Sequence, residues 1–179
     1  MNVAKAYLQC ALENLEAIRK QGDKTLAQVS YEQMCWAPNE ETNSIAIIVK
    51  HLRGNMRSRW TDFLIADGEK DDRNRDEEFE GSYSSKEEVL KAWDEGWEFV
   101  FLAVRALTAD DIGKRVYIRG EAHTAMQAIE RQVSHYASHI GQMIYIGKML
   151  NDKDWNCLSI PRGQSETFFK SNVQSSNRK

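Results

Sequence analysis

Four long stretches of the chain carry apolar residues at three- and four-residue steps, which limits the fold to packed amphipathic helices. In residues 3–29 the stripe is Tyr7, Leu8, Ala11, Leu12, Leu15 and Ile18. A second helix starts at Asn43 or Ser44, either a suitable cap, and is expected to run to about residue 66. Its stripe includes Ile45, Ile48, Leu52, Met56, Trp60, Phe63 and Leu64. A third starts at Ser84 or Ser85, where "SSKEE" supplies a cap and first-turn acids. Val89, Trp93, Trp97, Val100, Phe101 and Val104 line its inner side. The fourth spans residues 124–150, with Met126, Ile129, Val133, Ile140, Ile144 and Met149 inward. The only two prolines, Pro38 and Pro161, fall outside these stretches, so proline breaks none of them.

Four such helices predict an all-α, four-helix antiparallel bundle. A length of 179 residues suits a single domain, placed here at 1–170 with a disordered tail at 171–179. The connections are unequal. Residues 67–83, "DGEKDDRNRDEEFEGSY", form a long charged loop between the second and third helices. It reads as a solvated loop, with a salt-bridged ordered turn as the alternative. Arg115 to Arg119, between Gly113 and Gly120, alternates polar and apolar and predicts a short strand or hairpin before the fourth helix. After the fourth helix, a C-terminal extension with scattered aromatics is expected to lie back over the helices.

Composition removes several functions. The net charge is −3 with both signs dispersed, which argues against a nucleic-acid face. No apolar run approaches the ~20 residues of a membrane span. Cys10, Cys35 and Cys157 are isolated, with no CxxC spacing; they read as reduced thiols, buried or half-buried, of a cytoplasmic protein.

The chemistry centres on "SHYASHIGQM". His135 and His139 are four residues apart, so both imidazoles share one helix face. Such a pair alone is a weak sign; two buried neutral histidines bonded to polar neighbours have the same spacing. His51 lies near the inward face of the second helix, three and four residues after Ile48 and Ile47, and can supply a third nitrogen. Three nitrogens without a fourth ligand leave the open position of a catalytic rather than a structural site. The donors suit zinc, nickel or ferrous iron alike. Tyr136 stands where a metalloprotease helix carries its general-base Glu, and Glu130 is off the face, so a peptidase is disfavoured. His123 is three turns before His135 and reads as a surface or capping residue. Asn55 and Gln142 are candidates to hydrogen-bond a ligand or substrate, with ordinary polar surface roles as the alternative. Arg53, Arg57 and Arg59 form a basic run that can hold an anionic substrate, Arg57 and Arg59 in particular, or pair with the acidic loop. Trp36, Trp60, Trp93, Trp97 and Trp155 read as core or pocket wall.

The chain resembles the DinB-like superfamily of bacterial four-helix proteins, and most of all a branch of unknown function within it. The resemblance rests on "IVKHLRGNMRSRWTDFLIADGEK" followed by "RNRDEEF", on "QVSHYASHIGQMIYIGK" and on "WNCLSIPRGQSETF". It implies a bundle with a right-handed crossed connection, one divalent metal held by His51, His135 and His139, and frequent homodimers. Some relatives are S-transferases or isomerases that use a low-molecular-weight thiol such as bacillithiol, mycothiol or glutathione, whose thiolate the metal activates. By analogy of fold and site, the expected function is transfer of such a thiol to a small-molecule electrophile. The alternatives are a metal-dependent hydrolase and a non-enzymatic, stress-related metal-binding dimer.

Overall fold

The computed structural model describes residues 2–176, and side-chain surroundings as far as residue 170. It is mostly helical, with six helices and one small hairpin among the described residues. The helices are α1 (Val3–Gln28), α2 (Tyr31–Cys35), α3 (Ile45–Trp60), α4 (Lys86–Ala106), α5 (Ala125–Asn151) and α6 (Ser165–Ser176). The strands are β1 (Arg115–Ile118) and β2 (Glu121–Thr124), and short 3-10 turns occupy Asp76–Phe79, Ala109–Asp111 and Asp152–Asp154.

The helix starts are set by side chains that satisfy free N–H groups. Asn2 caps α1, Ser44 accepts from the Ile47 amide, and Ser85 accepts from Glu88. Thr124 and Gln127 form a capping box at α5, as Ser30 and Gln33 do at α2, a single turn that the apolar pattern does not announce. The four long helices, α1, α3, α4 and α5, share one core. α3 packs chiefly on α4, and α1 on α5. Trp97 sits at its centre, fully buried, with Trp93, Phe101 and Tyr136 rings 5.5–5.6 Å away. Trp60 is buried too, Trp155 is half-buried and Trp36 lies partly in solvent.

Two expectations change. The helix expected to reach residue 66 ends at Trp60. Thr61 takes extended backbone and Asp62 a positive φ of 51°, so the chain turns back. The Phe63 ring then lies tilted against Trp60, centroids 5.0 Å apart, and Phe63 and Leu64 pack on a small second cluster of Val116, Ile118, Ala125 and Ala128. The cysteines are all exposed rather than buried. In the C-terminal extension, Gln28 and Asn156 exchange hydrogen bonds of 2.7 and 3.3 Å, and the Trp155 ring lies over Gly147. The region expected as a tail overlaps the end of α6 to Ser176, and residues 177–179 lie outside the described residues. No helix among the described residues is long and apolar enough to cross a membrane.

The charged loop is an ordered, salt-bridged one: ion pairs of Glu69, Arg73 and Glu78 hold it against α3 and the hairpin, while Asp71, Asp72 and Asp76 stay exposed. The hairpin turns on Arg119 and Gly120, both at positive φ (56° and 76°), between paired Ile118 and Glu121. This is the mirror-image two-residue turn that matches strand twist. The Asp67 carboxylate accepts both turn amides, from Arg119 and Gly120, at 2.8 Å. Gly68 donates its amide to the Tyr117 carbonyl at 2.8 Å. Loop and hairpin thus form one unit at the end of α3, and this unit walls the site.

Candidate metal centre

α3 presents His51 inward, and one face of α5 presents His135 and His139. The ligating nitrogens of the three lie within 4.8 Å of one another. Nε2 of His135 is 3.3 Å from Nε2 of His51 and 3.1 Å from Nε2 of His139. A tetrahedral cation with bonds of 2.0–2.1 Å separates its ligand nitrogens by about 3.3–3.4 Å, close to the two distances from His135.

The donor and acceptor roles of the ring nitrogens bear on what the cluster can hold. His51 Nδ1 is 2.9 Å from the Glu78 carboxylate, which only accepts, so Nδ1 carries a proton and the neutral ring has its lone pair on Nε2. His139 Nδ1 is 2.9 Å from Gln142 Oε1, which likewise puts a lone pair on its Nε2. Both lone pairs face His135 Nε2, which offers one in-plane site and can serve at most one of them well as a donor. His135 Nδ1 is buried with no hydrogen-bond partner. A cation between the three nitrogens satisfies all three lone pairs at once.

The imidazoles are poised for that role. Burial, then the neighbouring His139 and His51, pushes His135 down to about 3. Burial lowers His139 also, against the hydrogen bond to Gln142. Neutral imidazole is the ligating form.

His51 is fixed from behind by the charged loop. Burial alone would push the Glu78 carboxyl up, but Arg73 and His51 outweigh it and hold it below its ordinary value. Arg73 donates to Glu78 at 2.8 and 2.9 Å and to Glu69 at 3.1 Å. Glu69 also accepts from Arg59 at 3.1 Å and Arg119 at 2.9 Å. Phe79 stacks on the His51 ring at 4.8 Å. Gly54, one turn beyond His51, makes room for Glu78: a Cβ there would collide with the Glu78 carboxylate.

The expected site residues divide. Gln142 bonds His139. Asn55 lines the cavity, and its Oδ1 accepts from Tyr136 at 3.3 Å. Tyr136 is fully buried and also accepts from Trp60 Nε1 at 2.8 Å, which makes it a core residue rather than a base. Arg57 pairs with Asp72 and Arg53 with Glu95, both away from the histidines. Arg59 lines the cavity, with its side chain held by the Gly68 carbonyl and Glu69. His123 lies in β2, off the site. The sequence reading missed Glu78, Arg73, Phe79, Arg119 and Arg131. Only Arg131 carried a local signal, standing four residues before His135 on the same helix face.

The histidines lie beneath a cavity of about 520 Å³, with no Asp, Glu, Cys or Lys in its lining. A mostly helical protein with three convergent imidazoles at an arginine-lined cavity is of the kind that can hold a metal ion. The chain belongs to the family described as "Protein of unknown function (DUF1572)", whose model matches residues 2–164. No curated protein and no solved structure matches it.

Proposed function

We propose that this chain is a DinB-like four-helix bundle in which His51, His135 and His139 hold one divalent cation, and that it transfers a low-molecular-weight thiol to an electrophile. The observation that supports this most is the meeting of two lone pairs, from His51 and His139, at His135 Nε2, beside an open cavity. The cation would supply a lowered thiol pKa, with the proton released to solvent. The sulfur then forms its bond to the electrophilic carbon, and the leaving group departs with its electron pair.

The chain's own residues do the rest. Glu78 orients His51, and Gln142 orients His139. The cavity lining favours a thiolate over hydrolysis. A hydrolase gains from a carboxylate base beside the metal, and among the described residues the lining has none. Glu78 is behind His51 and engaged by Arg73. A homodimer belongs to the same proposal, with the exposed Tyr145 and Met149 of α5 as apolar surface for it.

The test is thiol-dependent loss of a model electrophile such as monochlorobimane by zinc-, nickel- and iron-loaded protein. Turnover that vanishes in His51→Ala is the expected result. Full metal binding without turnover on any of several thiols would sink the transferase reading and favour a non-enzymatic metal protein.

A further inference from the structure

We propose that the cavity above the three histidines binds its small-molecule ligand by an anionic group, a carboxylate or a phosphate, held by Arg131 with Arg75 and Arg119. This rests on the transferase reading for one point only: the ligand's other end is then a thiol.

The case begins with a charge imbalance. Five guanidinium groups line the cavity, those of Arg59, Arg73, Arg75, Arg119 and Arg131, and no carboxylate does. Two carboxylates reach these groups from behind, Glu69 and Glu78. They leave an excess of three positive charges from these arginines around one concave space. A cavity lined by one sign of charge concentrates ions of the other sign.

The inner and outer arginines differ. Arg59 and Arg73 have side chains only 4% exposed, and the two carboxylates and the Gly68 carbonyl engage them. They form the wall. Arg119 gives only its Nε to Glu69, at 2.9 Å, so its terminal nitrogens are free to donate. Arg75 lies over the Phe79 ring, 5.0 Å from its centroid, and Phe79 in turn stacks on His51. A guanidinium in a cation–π contact keeps N–H groups that can donate to a planar anion. Arg131 has no hydrogen bond or ion pair with any described residue, and it shares the α5 face of His135 and His139. Three guanidinium groups with N–H donors to spare thus surround the mouth, above nitrogens that can hold a donor atom at the base. A ligand of both ends, one soft and one anionic, satisfies the whole cavity.

The test uses cobalt-loaded protein and the thiolate-to-cobalt absorption band. 3-Mercaptopropionate, 2-mercaptoethanol and cysteamine differ mainly in charge. The anionic thiol is expected to bind roughly tenfold tighter than the neutral one, the size of one charged hydrogen bond. That preference shrinks to about threefold or less in Arg131→Ala and in Arg75→Ala, and it weakens with salt. Cobalt content stays stoichiometric in both variants. Calorimetric titration with succinate and with inorganic phosphate then tells which anion the rim prefers. Equal affinity for all three thiols, or an undiminished preference in both variants, overturns the anion subsite. Absence of the band with every thiol, beside Arg131-dependent binding of succinate or phosphate, defeats the thiol reading and upholds the subsite.

Discussion

Glu78→Gln is the substitution that separates a positioned metal ligand from a merely buried histidine. Glu78 is 7% exposed and meets His51 Nδ1 at 2.9 Å and Arg73 at 2.8 and 2.9 Å. Glutamine keeps the shape but loses the charge, and its amide turns one donor toward another donor. A carboxylate behind a ligating imidazole is worth about 10–100-fold in metal affinity. Removing one partner of a buried ion pair costs about 3–5 kcal/mol, but Arg73 keeps Glu69 at 3.1 Å, so the loss is nearer ~2–3 kcal/mol. For a chain of this size that lowers the melting temperature by roughly 5–10 °C. Competition with a chromophoric chelator reads the zinc affinity, and a melt in EDTA isolates the folding cost. An affinity within twofold of wild type, with an unchanged melt, would refute the role given to Glu78.

Other expectations follow from the same contacts. Gly54→Ala raises helix propensity by ~1 kcal/mol, yet its methyl displaces the Glu78 carboxylate, so zinc affinity falls; unchanged affinity would count against the packing described. Tyr136→Phe leaves Trp60 Nε1 and Asn55 without their buried partner, at about 1–3 kcal/mol, and should lower the melting temperature without altering metal content. In metal-free protein, His135 is pushed down to about 3 from 6.5, so between these values the unfolded chain binds more protons. Stability is therefore complete above pH ~6.5 and declines as pH falls toward 3. Denaturant midpoints across that range should show the slope, and His135→Gln should flatten it.

The helices and the histidine pair were readable because their signals are local. Ser44, Ser85 and Thr124 cap where short-range hydrogen bonding demands, and the stripes repeat within single segments. Spacing alone placed His135 and His139 on one face, and the inward position of His51 followed from Ile47 and Ile48. The end of α3 is not legible because Phe63 and Leu64 keep the helical period while packing against Val116 and Ile118 of β1, more than 50 positions on. Glu78 had no local signal at all. Its burial depends on Arg73, Glu69 and the Gly54 gap acting together, and a run of alternating charges looks the same when it is solvated. The anion-facing residues divide likewise: Arg131 is visible from its helix face, whereas Arg75 and Arg119 arrive through the loop and the hairpin turn.

Metal content tests the central claim most directly. Untagged protein, analysed by mass spectrometry of its elements, should carry close to one divalent ion per chain, and His135→Ala should lose it. Wild-type protein that stays metal-free in excess zinc, or a variant with equal content, would contradict the site.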